Sequence, residues 1–79
     1  MSPLRKAERY MDEFQALLKK NVIGDEDFAL MNNIREKLAK IFPTLGIDFQ
    51  DDAWYRNKVL KLDDELKDLV YEMNFLQNL

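Results

Sequence analysis

Residues 55–76 read YRNKVLKLDDELKDLVYEMNFL, and seven of their apolar side chains recur at alternating spacings of four and three over three heptads. The residues of this heptad stripe are Tyr55, Val59, Leu62, Leu66, Leu69, Met73 and Leu76. Such spacing keeps an apolar seam turned towards partner helices. The stretch therefore predicts a long C-terminal helix, over about residues 52–77, that packs against other helices.

A first helix is predicted over about residues 3–21. Ser2 is a typical N-cap, and Pro3 suits the first helical position because its missing N–H has no partner there. We expect the helix to end near Asn21, with Gly24 in a left-handed turn. Its apolar positions, at helical spacing, are Leu4, Ala7, Met11, Phe14 and Leu18.

A second helix is predicted over about residues 26–42. Asp25, Glu26 and Asp27 place negative charge at its start, where the helix dipole favours it. Pro43 is expected to end it, because a proline disfavours the helical conformation in the residue before it. Its apolar positions are Phe28, Met31, Ile34, Leu38 and Ile41.

The connection of residues 43–51 is the only long one in this scheme. We expect its apolar residues Leu45, Ile47 and Phe49 to cover the end of the bundle, and a short extended segment is the alternative. Asp51 or Asp52 should cap the third helix; Asp48, Asp51 and Asp52 lack the register of an EF-hand loop. Trp54 is interpreted as a core side chain that fixes this connection, or as a binding hot spot.

Composition limits the size and the class of the fold. Apolar residues make up 47% and charged residues 34% of the 79 residues, which is typical of a folded chain. With no Cys and no His, disulfides and Cys/His zinc sites are excluded, and oligomerisation or partner binding is the remaining common supplement to a thin core. We therefore expect an all-α single domain over residues 1–79: a three-helix antiparallel bundle with a long heptad-patterned C-terminal helix, dimerised.

The last residues carry more apolar side chains than such a bundle can cover. From residue 70 onwards they lie nearly all round the predicted helix, and an apolar patch left exposed usually marks an interaction site. We expect this segment to join two copies of the chain or to dock another protein. The candidate interaction residues are Val70, Tyr71, Met73, Phe75, Leu76 and Leu79, with Trp54 in the hot-spot interpretation.

The sequence contains few residues that could act as catalytic groups. The single Ser lies at position 2 and the single Thr follows a proline, so the usual activated nucleophiles cannot be built. Four carboxylates at helical spacing could hold Mg²⁺, namely Asp64, Glu65, Asp68 and Glu72. This group resembles half of the paired carboxylate motif of MazG-like nucleotide pyrophosphatases, and the resemblance implies a magnesium-dependent enzyme. The second half, a Glu-x-x-Glu on a neighbouring helix, is absent, and a solvated acidic face is the plainer interpretation.

Basic residues concentrate on the first helix. They are Arg5, Lys6, Arg9, Lys19 and Lys20, and they form a possible nucleic-acid contact. No helix-turn-helix spacing or aromatic platform accompanies them, and residues 43–79 carry eight acidic but only four basic side chains. Nucleic-acid binding is therefore the alternative, and an Arg9–Glu13 surface pair is the simpler role for Arg9.

The expected function is a non-enzymatic protein–protein interaction module: a small adaptor, assembly factor or inhibitor that acts through helix surfaces as a homodimer. No cofactor, metal or small-molecule substrate is expected. The charged start MSPLRKAE leads into no long apolar run, so we expect neither a signal peptide nor membrane contact, and a cytoplasmic location. Small acidic helical chains of this kind are common among phage and bacterial regulators, which is an association only.

Overall fold

The computed structural model describes residues 2–45 and 53–78, which form three helices: α1 over Pro3–Leu18, α2 over Asp25–Leu45 and α3 over Ala53–Gln77. These described ranges contain no strand. The expectation of an all-α chain with three helices is confirmed. The proposed caps Asp51 and Asp52, like Asp48, Ile47 and Phe49, lie outside the described residues.

The start of α1 is capped as the sequence predicts. Ser2 has an extended backbone, and its Oγ accepts a hydrogen bond of 3.2 Å from the Arg5 N–H. Pro3 occupies the first helical position. Together these residues fix the start of the helix, since the cap satisfies one of the N–H groups that the first turn leaves without a partner.

The α1–α2 turn differs from the prediction. The first helix ends at Leu18, three residues earlier than expected, and no glycine in the described part of the chain has a positive φ. Gly24 instead caps α2: its carbonyl accepts the N–H groups of Asp27 and Phe28, and its own N–H donates to Asp27 Oδ2 at 3.0 Å. The contact from the Gly24 N–H to the Asp27 side chain is one half of a capping box, so Gly24 begins the second helix and does not terminate the first.

The end of α2 also differs from the prediction. The helix continues through Pro43 to Leu45, so the expectation that Pro43 ends it was wrong. Leu45 is fully buried, and burial of a leucine side chain contributes about 1.5–3 kcal/mol, which offsets much of the roughly 3 kcal/mol cost of a helical proline. Thr44 adds a hydrogen bond of 2.6 Å from its Oγ1 to the Ile41 carbonyl. Leu45 therefore covers the core as expected, but from the last turn of a helix.

Each helix contributes four side chains to one core. The twelve buried residues are Leu4, Ala7, Met11 and Phe14 of α1, Met31, Ile34, Leu38 and Leu45 of α2, and Val59, Leu62, Leu66 and Met73 of α3. No polar or charged residue is buried in the described part of the chain. Of the heptad stripe, Tyr55, Leu69 and Leu76 are half-buried and the other four are buried, so the stripe faces α1 and α2 of its own chain.

Candidate protein-interaction surface

Two aromatic side chains stand out from the C-terminal half of α3. Tyr71 is 76% exposed and Phe75 is 58% exposed. Tyr71 lies two residues before the fully buried Met73 and Phe75 lies two residues after it. Each aromatic residue is therefore rotated about 200° round the helix axis from Met73. Both rings therefore point away from the core, and we call Tyr71 and Phe75 the C-terminal apolar patch.

The other residues of the predicted interaction set have different environments. The prediction of Met73 as an interaction residue needs correcting. Its side chain is fully buried within its own chain, so no partner can reach it without opening the core. Val70 is half-buried against the core, and Leu76 is half-buried at the end of the helix. Leu79 lies outside the described residues. The accessible part of the set is thus the C-terminal apolar patch with one edge of Leu76.

The α1–α2 turn leaves this patch uncovered. Val22 and Ile23 are the apolar residues of this turn. Ile23 packs against the core, but Val22 is 79% exposed. The patch therefore stays open to solvent within the monomer.

Trp54 does not occupy the core. It is 64% exposed on the first turn of α3, so its interpretation as a core side chain was wrong. The Lys58 ammonium lies 5.0 Å from the centre of its ring, a cation–π contact within one helical turn, and the same Nζ lies 3.1 Å from Glu8 Oε1 on α1. Trp54 is thus held along the helix surface, and its interpretation as a binding residue stays a prediction.

Two exposed leucines were missed by sequence reasoning. Leu60 and Leu30 are each 50% exposed. Leu30 borders a shallow apolar groove between α1 and α2, lined also by Ala16, Leu17 and Ile34. At about 100° per residue, Leu60 lies more than about 100° from the centre of the buried stripe of α3, and Leu30 lies about 70° from the centre of the buried stripe of α2. That angular offset is the signal that could have identified them.

The basic residues of α1 and of the turn that follows it do not form an uninterrupted surface. Arg5, Lys6, Arg9, Lys19 and Lys20 are all exposed. Arg9 Nε lies 3.8 Å from Glu13 Oε1, which is the expected surface pair, and Arg5 and Arg9 share their side of the helix with Glu8 and Asp12. Carboxylates between the cations weaken the positive potential that phosphate binding needs.

Lys20 has a structural partner on the next helix. Its Nζ lies 2.8 Å from Asp27 Oδ1, across the α1–α2 turn. The hydrogen bond from Lys20 lowers the pKa of Asp27 below its ordinary value of 3.8, and the hydrogen bond from the Gly24 N–H lowers it further. Lys20 therefore ties the end of α1 to the start of α2.

Carboxylates line a groove between α1 and α3. Glu8 and Asp12 lie on one wall, and Glu65 and Asp68 lie on the other. Within the described ranges, no three acidic side chains come close enough together to hold a metal ion. This includes Asp64, Glu65, Asp68 and Glu72, the carboxylates that were considered as a magnesium site. Glu8 is already paired with Lys58.

Comparison with known proteins adds no relative. No family model, curated protein or solved structure matches the chain. Among the described helices, none combines the length and the apolar character needed to cross a bilayer.

Proposed function

We propose that this chain is a non-enzymatic protein–protein interaction module, a small adaptor, assembly factor or inhibitor of a larger protein, that works as a homodimer. The observation that carries the proposal is the C-terminal apolar patch: Tyr71 and Phe75, exposed one turn apart on a helix whose opposite side is anchored in the core. A rigid helix presents these rings without the entropic cost of ordering a loop.

The energetics of the patch favour a partner. An aromatic side chain can bury about 150–250 Å² in an interface, and tyrosine and tryptophan are enriched where binding energy concentrates. The chain also has a core of only twelve described side chains, and small domains commonly gain stability from a second subunit. Both considerations support self-association through the outward side of α3.

Contacts between the helices support an antiparallel bundle as the scaffold. From α1 to α2 the pairs run in opposite directions: Lys20 contacts Asp27, and Tyr10 lies 5.5 Å from the Lys37 ammonium. From α1 to α3 the Glu8–Lys58 pair joins the early part of both helices. An up-down-up order of the three helices accounts for all three contacts.

The two aliphatic hydroxyl groups of the chain support a non-enzymatic role. Ser2 Oγ accepts the Arg5 N–H at the start of α1, and Thr44 Oγ1 donates to the Ile41 carbonyl in the last turn of α2. Neither has a base beside it, because the chain has no His and no described carboxylate or lysine hydrogen-bonds to either one.

The proposal is tested by removing the patch. We expect the wild-type chain to form dimers in sedimentation equilibrium between about 1 μM and 1 mM, which covers binding free energies of about −8 to −4 kcal/mol. The double variant Tyr71→Ser with Phe75→Ser should remain monomeric over the same range and keep its helical circular dichroism. Both side chains are exposed, so the fold should tolerate their loss.

The matched control is Val22→Ser, which removes an equally exposed apolar side chain from the α1–α2 turn. It should dimerise like the wild type. A wild-type chain that stays monomeric throughout this range, or a patch variant that dimerises as well as the control, would remove the proposal.

A further inference from the structure

Resting on the proposed self-association, we propose that α3 pairs with α3 of a second copy in an antiparallel orientation, with Leu60 against Tyr71 and Asp64 against Lys67. The two-fold axis then passes α3 at the level midway between Glu65 and Leu66. The observation that supports this proposal is a row of exposed residues on the side of α3 that faces away from α1 and α2.

This row, the outer stripe, consists of Leu60, Asp64, Lys67 and Tyr71. All four residues are exposed, and their spacings of four, three and four keep them within about 60° of one another round the helix. Leu66 and Met73, both buried, occupy the other side of the helix. The outer stripe thus has the spacing of a coiled-coil seam but packs against neither α1 nor α2.

The outer stripe is self-complementary. In a two-fold interface, if one residue contacts a second, the second contacts the first on the other copy. Leu60 and Tyr71 lie at equal sequence distances from the midpoint between Glu65 and Leu66, and so do Asp64 and Lys67. An antiparallel pair centred there forms two Leu–Tyr contacts at the outside and two Asp–Lys contacts at the inside.

Charge selects this orientation over the parallel one. In a parallel, in-register pair, Asp64 would face Asp64 of the second copy and Lys67 would face Lys67. Like charges placed opposite each other oppose association, whereas opposite charges fix register and orientation. A second copy in the antiparallel orientation is therefore the occupant that matches the exposed charges of this surface.

The contact that Lys67 makes within its own chain does not prevent this pairing. Its Nζ lies 3.2 Å from Asp63 Oδ2, but the two side chains are 71% and 42% exposed. Exposed pairs at this helical spacing contribute only about 0.3–0.5 kcal/mol. Lys67 can turn to Asp64 of the second copy at little cost, or contact both carboxylates.

Phe75 extends the contact beyond the outer stripe. In the same register it lies at the level of Arg56 and Asn57 of the second copy, where a guanidinium group can stack on the ring. The overlap then covers residues 56–75, about 30 Å of helix, and buries on the order of 1,000 Å² in total, which is the lower end of specific interfaces. We expect a dimer that dissociates on dilution to low micromolar concentrations.

Charge variants test the pairing by sedimentation equilibrium. Asp64→Lys should weaken dimerisation at least about tenfold, because it sets lysine against Lys67 twice. Lys67→Asp should weaken it equally, although the two variants change the net charge of −3 in opposite directions. The double variant Asp64→Lys with Lys67→Asp has the wild-type composition and should dimerise like the wild type.

Orientation is measured separately. The chain has no cysteine, so Asn57→Cys carries a single spin label at an exposed position. In the antiparallel dimer the two labelled sites are about 25 Å apart along the helix axis, whereas in a parallel dimer they lie side by side, about 10 Å apart. Pulsed electron paramagnetic resonance distinguishes these distances.

The outcomes separate this inference from the proposed function. Loss of dimer in both single charge variants, recovery in the double variant and the longer label distance support it. A dimer that needs Tyr71 and Phe75 but ignores the charge variants, or that gives the shorter distance, overturns the antiparallel pairing and leaves the interaction module standing. A wild-type chain that never dimerises overturns both.

Discussion

Asp27 accepts more hydrogen bonds from outside its helical backbone than any other carboxylate described in this chain. Its two carboxylate oxygens accept separate hydrogen bonds, one from Lys20 just after α1 and one from the Gly24 N–H at the start of α2. The sequence places Asp27 in the first turn of a helix, where a negative charge is favourable. It does not indicate Lys20 as the partner, because that contact depends on how α1 ends and how the turn folds back.

Asp27 makes stability depend on pH in a defined direction. Its pKa is lowered in the folded chain, so it stabilises the fold above the ordinary value of 3.8, and this stabilisation is lost as pH falls through the lower folded pKa. We expect Asp27→Asn to lower the free energy of unfolding at pH 7, and the difference from wild type to shrink below pH 3.8. Urea unfolding followed by circular dichroism measures both.

Asp25→Asn is the control for this prediction. It removes the same charge from the first turn of α2 but no hydrogen bond to Lys20. It should show a weaker dependence on pH than Asp27→Asn. Two variants with the same pH profile would show that the helix dipole, and not the Lys20 contact, is responsible.

At the level of the helices, sequence reasoning succeeded where local chemistry decides. Ser2 and Pro3 start α1 because a cap and an N-terminal proline are properties of a few adjacent residues. Sequence reasoning failed where packing between helices decides the end of a helix or the burial of a side chain. The last turn of α2 passes Pro43 because Leu45 reaches the core, and Trp54 stays outside the core although its type favours burial. No local pattern reports which side chains the other helices will cover.

The helical proline offers a direct test of the α2 boundary. Proline inside a helix costs about 3 kcal/mol relative to alanine, and less near a helix end. Proline also restricts the unfolded chain, which stabilises the folded state by about 0.4–1 kcal/mol. Pro43→Ala should therefore raise the free energy of unfolding by about 1–2 kcal/mol by these two estimates. Chemical denaturation at fixed protein concentration measures the change.

The other proline of the chain is the control for that test. Pro3→Ala should have little effect or a slight destabilising one, because proline suits the first helical position. If Pro43→Ala is no more stable than the wild type, the helix does not pass through residue 43 in solution and α2 ends where the sequence predicts.

At the scale of the whole molecule, half of the candidate surface could be found without a structure. Tyr71 and Phe75 are off the heptad stripe, so their periodicity alone indicates exposure. Met73 belongs both to the heptad stripe and to the apolar C-terminal segment, so the sequence supports either role for it, and the structure shows that it is buried. The outer stripe of Leu60, Asp64, Lys67 and Tyr71 follows from the same periodicity, because it lies opposite the heptad stripe, but the structure is needed to show that all four residues are exposed.

If the dimer stabilises the folded chain, the melting temperature should depend on protein concentration. Association stabilises the folded state by mass action, and for a domain of this size 1 kcal/mol shifts the melting temperature by about 4–8 °C. Between about 5 μM and 500 μM protein, a dimer of micromolar affinity should melt about 5 °C higher or more at the upper concentration. The Tyr71→Ser, Phe75→Ser variant should melt at one temperature throughout. Thermal circular dichroism in cells of different path length measures both chains, and a wild type with no concentration dependence would contradict a dimer that contributes to stability.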